Sequence, residues 1–159
     1  MLSLKSTLNL LLVCTLFTAC STRETGYTKT QHSSQNNNYL SSFKKAYTHY
    51  KGTPYCYGGT THRCIDCSAF VQKMYQEACH IKIPRTTHQQ IKIGLHVKKK
   101  NLSTGDIVFF KTASKTLHSG IYLKDGEFIH ASSSHGVIKS NLHNSYWNHA
   151  YLQARRILP

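Results

Sequence analysis

Apolar residues recur at helical spacing in two stretches of the first half of the chain. The first stretch is formed by four residues at intervals of 3, 4 and 3: Leu40, Phe43, Tyr47 and Tyr50. This is the period of one face of an α-helix, and the following Gly52-Thr53-Pro54 ends it. The second stripe runs from Phe70 to Ala78 and predicts a helix of about a dozen residues that begins at Cys67.

The character of the chain changes after Lys98–Lys100. A short helix is expected before this point, over Thr86–Lys92. After it come five short runs rich in β-forming residues and separated by turn residues: Ile107–Phe110, Gly120–Leu123, Glu127–Ala131, Val137–Ser140 and Leu152–Ile157. Helices followed by strands favour an α+β domain, with N-terminal helices packed on a mostly antiparallel sheet of about five or six strands.

The N-terminus has the pattern of an export signal. The apolar run from Leu8 to Ala19 is too short to span a bilayer, and Lys5 is the only charge before it. The run ends in Leu16–Cys20, which resembles the lipobox of bacterial lipoproteins. We therefore expect residues 1–20 to be a signal peptide with Cys20 lipidated. Ordinary cleavage or an uncleaved anchor are the alternatives.

A polar segment follows the signal. Residues 21–38 show no apolar periodicity and cannot bury enough surface to order themselves, so they are predicted to be a flexible tether. Residues 39–159 then form one domain. The tether would let a domain anchored to a bacterial membrane, most simply the outer membrane facing the periplasm, reach a nearby polymer.

The chain is strongly basic. It carries 20 Lys and Arg against 6 Asp and Glu, a net charge of +14. Nucleic acid is a common partner of such a chain, but an exported lipoprotein does not meet it, so we expect none. Attraction to carboxylates of the cell wall fits better. The alternative is that the charge only maintains solubility.

Three residues suggest nucleophilic catalysis. Cys67 opens a predicted helix, where unpaired N–H groups favour a thiolate, and His118 and His130 lie on neighbouring predicted strands. A thiol, a base and a third group that orients the base are the parts of a cysteine nucleophile. Taken singly, each residue has a simpler interpretation, as a small buried helix residue or an ordinary strand histidine.

The order and spacing of several short motifs resemble the NlpC-type cell-wall cysteine peptidases over nearly the whole of Tyr39–Pro159. The matching stretches are Gly52–Tyr55 with Gly58-Gly59, Asp66-Cys67-Ser68, Pro84–Thr87 with Gln90, Gly105–Phe110, His118–Tyr122, Phe128–Ser132 and Ala154–Arg156. The family hydrolyses amide bonds in the peptide stems of peptidoglycan and has a papain-like arrangement of helices and sheet. One departure is Ala69, where the family commonly has Gly.

The resemblance implies a role for each site residue. Cys67 would be the nucleophile, His118 the general base and His130 the polar residue that orients it. The backbone N–H of Cys67 would stabilise the oxyanion, helped by the Tyr55 hydroxyl. The alternative for Tyr55 is that it is only a packing aromatic. The supporting residues would be Asp66, Ser68 and Ser119. Such an enzyme needs no cofactor or metal, and we expect a monomer whose substrate is peptidoglycan stem peptides.

The domain cysteines allow other chemistry. Cys64 and Cys67 form a CxxC pair, but Cys79 lies about 18 Å along the helix from Cys67 and cannot join one tetrahedral zinc site with it. In an oxidising compartment a Cys56–Cys64 disulfide is plausible, whereas a Cys64–Cys67 bond would silence the nucleophile. An amidase or acyltransferase on the same scaffold and a catalytically degenerate wall-binding module are the alternative functions.

The site also depends on the turn between the two histidine strands. Asp125-Gly126 favours a two-residue hairpin turn, and a regular hairpin of that kind sets His118 and His130 on opposite faces. A three-residue loop, Lys124–Gly126, sets them on the same face. We therefore predict the longer loop, with both histidines on the sheet face that meets the Cys67 helix.

Overall fold

A computed structural model describes residues 25–112 and 116–159. The signal peptide and Cys20 lie outside these residues. The helices are α1 (Thr25–Tyr50), α2 (Cys67–Cys79), α3 (Thr87–Gln90) and α4 (Ser145–Ala150). The strands are β1 (Leu95–Val97), β2 (Ile107–Lys111), β3 (Leu117–Lys124), β4 (Glu127–Ser132), β5 (Gly136–Asn141) and β6 (Tyr151–Arg156). A short 3-10 turn covers Lys99–Asn101.

The strands form one six-stranded antiparallel sheet in the order β1-β6-β2-β3-β4-β5. One face of the sheet packs against α1 and α2 in a core that includes Phe43, Phe70 and Ile121. The other face forms a smaller cluster around Phe110 and Phe128, on which α4 lies. The predicted α+β class, with helices on a mostly antiparallel sheet, is confirmed.

Helix α1 begins earlier than predicted. Its packed face contains the predicted residues Phe43, Tyr47 and Tyr50, but the helix continues back to Thr25, through part of the segment expected to be a flexible tether. Once a helix is nucleated by a packed face, each further polar residue adds a hydrogen bond at little cost. The expectation that residues 25–38 lack regular structure is therefore wrong, while their use as a tether stays a prediction.

Helix α2 begins where the sequence predicted. Asp66 is its N-cap, and its Oδ1 accepts a hydrogen bond of 2.7 Å from the Ala69 N–H. At the other end, His80 takes the left-handed conformation of a helix C-cap. The buried side of α2 carries Phe70, Val71 and Met74 against the sheet. This packing fixes the direction of α2 and hence the position of Cys67 at its start.

The hairpin between β3 and β4 combines the two alternatives. Its turn is the two-residue Asp125-Gly126 turn, with both residues at positive φ, so the predicted three-residue loop is wrong. Leu123, however, is an extra residue in β3, a β-bulge that shifts the register by one. Ile121 consequently pairs with Ile129, and His118 and His130 lie on one face, as the site requires.

That shared face differs from the one expected. The two histidines pack against Phe110, Phe128 and Trp147, on the side of α4, whereas the alternate residues of the same strands face α2. The prediction that they lie on the face meeting α2 is wrong, because strand alternation gives that face to the apolar core residues.

Two elements of the described chain were not predicted. Strand β1 is only three residues long, and α4 has six residues without a buried stripe. The only local signal for α4 is its N-cap Asn144, whose side chain accepts a hydrogen bond from Tyr146 N–H. Within residues 25–112 and 116–159, no helix is long and apolar enough to cross a membrane.

Candidate active site

A cavity of about 920 Å³ opens at one end of the sheet, where β2 and β4 finish and β3 and β5 begin. Cys67, His118 and His130 all line it. The segment before α2 is tied to the same end, because Thr53 and Gly52 exchange backbone hydrogen bonds of 2.9 Å with Val137 on β5. This tie brings the start of α2 to the histidines, although α2 packs on the other face.

Cys67 is the first residue of α2 and is 7% exposed. The N–H of a first helical residue has no acceptor within its own helix, so it can donate to an external group. The thiol is free and contacts the Thr87 hydroxyl, with 3.7 Å between Sγ and Oγ1. The Cys67 sulfur and the Cys67 N–H donor therefore lie together beside the open cavity.

A partly buried ion pair holds the start of α2. Asp66 accepts two hydrogen bonds from Arg85, of 3.0 Å to Oδ1 and 2.7 Å to Oδ2, and one from Ser68 Oγ. Burial by itself raises the pKa of Asp66, but the hydrogen bonds from Arg85, Ala69 N–H and Ser68 outweigh it and hold that pKa below its usual value. The carboxylate stays ionised and fixes the turn that carries Cys67.

The two imidazoles form a hydrogen-bonded chain. His118 Nε2 lies 2.9 Å from His130 Nδ1, and His130 Nε2 lies 3.0 Å from Ser140 Oγ on β5. If each Nε2 carries the proton, His118 donates to His130 and His130 donates to Ser140. His118 Nδ1 then keeps its lone pair, as a general base requires.

Burial keeps both rings neutral. It lowers the pKa of His118 to about 4. It lowers the pKa of His130 to about 3, with a smaller contribution from the neighbouring His118. A charged imidazole would lose its hydration in this setting. Among the described residues, no carboxylate contacts either ring to compensate for that loss.

Trp147 on α4 supplies part of this burial. Its ring is stacked on His118, with 5.8 Å between centroids, and meets His130 edge-on at 4.8 Å. It also lines the cavity. Sequence reasoning missed Trp147 because α4 itself had no detectable periodicity.

Tyr55 lines the cavity beside Cys67. Burial and the proximity of Cys67 raise the pKa of its hydroxyl, so the group stays protonated and able to donate a hydrogen bond. This is the state that stabilisation of an oxyanion requires.

The family model of the NlpC/P60 family matches residues 52–156. The chain belongs to this family. The match covers every residue of the site described above, and it confirms the NlpC-type resemblance read from the sequence motifs.

Several known proteins resemble the chain over most of its domain. The probable endopeptidase NlpC of Escherichia coli K12 is 50% identical over 108 residues, which cover 67% of this chain and 70% of that protein. Murein DD-endopeptidase MepS/murein LD-carboxypeptidase of the same organism is 44% identical over 112 residues, 70% of this chain and 60% of that protein. A crystal structure of an NlpC/P60 family protein from Bacillus cereus has a TM-score of 0.67 at 30% identity, covering 76% of this chain and 40% of that one.

Two supporting residues lie away from the NlpC/P60 cavity. Ser68 is buried behind Cys67, where its hydroxyl accepts a hydrogen bond from Arg85 and donates one to Asp66. Ser119 is fully buried between two strands, and its hydroxyl has no partner among the residues that the structure describes. Neither side chain lines the cavity.

Of the other three domain cysteines, two are bonded to each other and Cys79 is free. Cys56 and Cys64 form a disulfide, as considered from the sequence, which closes the loop before the nucleophile. Cys67 is therefore not bonded to Cys64. Over the described parts of the chain, no group of three or more Cys, His, Asp or Glu side chains is arranged to hold a metal ion.

Proposed function

We propose that this protein is a cysteine peptidase that hydrolyses an amide bond in the stem peptides or crosslinks of peptidoglycan. Endopeptidase activity on the cell wall is supported by membership of the NlpC/P60 family and by the murein endopeptidases among its relatives. The observation that carries the cysteine mechanism is the common cavity of Cys67, His118 and His130, with the two imidazoles in one hydrogen-bonded chain.

The proposed reaction has two halves. His118 Nδ1 accepts the thiol proton while Cys67 Sγ attacks the carbonyl carbon of the scissile amide. His118 then gives the proton to the leaving amine, and a thioester on Cys67 remains. In the second half His118 takes a proton from water, whose oxygen attacks the thioester and releases the acid and the thiol.

The low pKa of His118 sets the resting state. At neutral pH an imidazole with a pKa of about 4 is unprotonated, so His118 is free to accept a proton before the reaction begins. The imidazolium then exists only as the reaction proceeds. His130 stabilises it, because its Nδ1 accepts the proton on His118 Nε2 and holds the ring in one orientation.

Two donors are suited to the tetrahedral intermediate. The Cys67 N–H has no helical acceptor, and the Tyr55 hydroxyl stays protonated next to the sulfur. Both would donate to the oxygen that becomes negative when sulfur attacks. Tyr55→Phe removes one donor without changing the ring.

We base a proposal for the setting of the enzyme on its N-terminal sequence. We place the protein at a bacterial membrane, most simply the outer membrane facing the periplasm, through lipid on Cys20, with residues 21–38 as the link to a monomeric catalytic domain. This is supported by the apolar run that ends in the lipobox-like Leu16–Cys20.

The decisive experiment is hydrolysis of purified peptidoglycan by Cys67→Ala, with products separated by chromatography and identified by mass. We expect no product from this variant, because alanine suits the helix start and removes only the thiol. Cys79→Ala, at the far end of α2, is the matched control and should be fully active. Full activity of Cys67→Ala, or of wild-type protein treated with iodoacetamide, would rule out the mechanism. EDTA is expected to have no effect.

A further inference from the structure

The Thr87 hydroxyl touches the atom that reacts. Its Oγ1 lies 3.7 Å from Cys67 Sγ, and both residues are only 7% exposed. Within the described residues, this sulfur is the one hydrogen-bond partner that the structure shows for the Thr87 hydroxyl. Water therefore competes little for either group.

The distance is fixed by contacts stronger than the one between oxygen and sulfur. Gln90 is fully buried, and its Nε2 donates hydrogen bonds of 2.9 Å to the carbonyls of Ser68 and Pro84. Arg85 is held by the carboxylate of Asp66. The segment that carries Thr87 is thus attached to the residues on both sides of Cys67.

The contact has different consequences for the two states of the sulfur. A thiol and a hydroxyl are both weak donors and acceptors, so either atom can donate. A thiolate can only accept, and a hydroxyl then donates to a full negative charge, which makes the hydrogen bond stronger. The contact consequently stabilises the thiolate more than the thiol.

We propose that Thr87 is a further catalytic residue, whose hydroxyl donates a hydrogen bond to the Cys67 thiolate. The thiolate forms twice in the cycle, on attack and when water expels sulfur from the thioester. Thr87 stabilises the sulfur at both points, while His118 handles the proton. This inference rests on the proposed role of Cys67 as nucleophile.

The neighbouring Thr86 provides a matched control. Its hydroxyl is exposed and donates to Gln89 Oε1 at 2.9 Å, away from the sulfur. Thr87→Val replaces the hydroxyl with a methyl group of similar size, Thr87→Ser keeps the hydroxyl, and Thr86→Val makes the same chemical change one residue away.

The test is the rate of alkylation of Cys67 by iodoacetamide as a function of pH, with the labelled peptide identified by mass spectrometry so that Cys79 is scored separately. A lost hydrogen bond to a charged group is expected to move the midpoint of Thr87→Val upward by about one pH unit. The limiting rate at high pH should rise about threefold, because a less stabilised thiolate is more nucleophilic. Because opening of the site around the nearly buried Cys67 would also raise that rate, the upward shift of the midpoint is the readout that decides.

We expect wild-type profiles for Thr87→Ser and Thr86→Val. A wild-type profile for Thr87→Val, or an equal shift in Thr87→Ser, would overturn the inference. Should Thr87→Val fold poorly, Thr87→Ala removes the same hydroxyl and must show the same shift. The alkylation assay does not depend on turnover. It therefore separates this inference from the proposed function, which is tested by hydrolysis of peptidoglycan and fails if Cys67→Ala or the iodoacetamide-treated wild-type protein remains fully active.

Discussion

Removing the Trp147 ring should make the enzyme sensitive to mild acid. The ring is stacked on His118 and meets His130 edge-on, so Trp147→Ala opens both imidazoles to water. Hydration favours the charged form of an imidazole, and the pKa of His118 should rise from about 4 toward its ordinary value of 6.5. Because the base must be neutral to accept the thiol proton, activity at low pH should fall.

The size of the effect follows from those two values. At pH 5 a base with a pKa of about 4 is roughly 90% neutral, whereas one at the ordinary value is about 3% neutral. Complete hydration would therefore reduce activity at pH 5 about 30-fold relative to activity at pH 8. Remaining contacts with Phe110 and Phe128 should hold the change below this limit.

The assay is kcat/KM on a soluble peptidoglycan fragment between pH 3.5 and 8. Taking the ratio of activity at pH 5 to activity at pH 8 removes any loss common to all pH values. Tyr146→Ala is the control, since Tyr146 also lines the cavity but contacts Trp147 and, in the described structure, neither histidine ring. If Trp147→Ala is unstable, Trp147→Leu takes its place in the same assay, because it also removes the aromatic ring. An acid limb at the wild-type position in a folded Trp147→Ala enzyme would refute the argument.

Two further predictions test the framework and the charge. Gly120→Ala should cost about 1–3 kcal/mol of stability and most of the activity, as measured by urea unfolding and product formation. The reason is that the Cβ added at position 120 would lie 2.8 Å from the Ile129 carbonyl oxygen and 3.1 Å from the His130 Cβ. Ser119→Ala, next to it, loses only an unpartnered buried hydroxyl and should be as stable as wild type. If the net charge of +14 attracts the enzyme to an anionic wall, less enzyme should sediment with sacculi above physiological ionic strength, where the Debye length falls below about 8 Å. Binding that does not change with salt would mean that the charge serves only solubility.

The parts of the site that could be predicted from sequence are those with a local signal. The apolar stripe after Cys67 placed the nucleophile at a helix start, and Asp66 at the preceding position is a preferred N-cap residue. The contributions of Arg85, Thr87 and Trp147 have no such signal. Each acts through a contact between segments far apart in the chain, and such contacts follow from packing rather than from periodicity.

The hairpin between the histidine strands shows how local and distant requirements are satisfied together. Turn chemistry favours Asp125-Gly126 with both residues at positive φ, and the structure adopts it. Burial requires Ile121 and Ile129 to face the core, which sets the register of the strands independently of the turn. The two demands differ by one residue, and the bulge at Leu123 absorbs that difference. The bulge is a third solution, beside a regular two-residue hairpin and a longer loop. Because the bulge lies between the turn and the paired residues, the histidine geometry depends on core burial and not on the length of the loop.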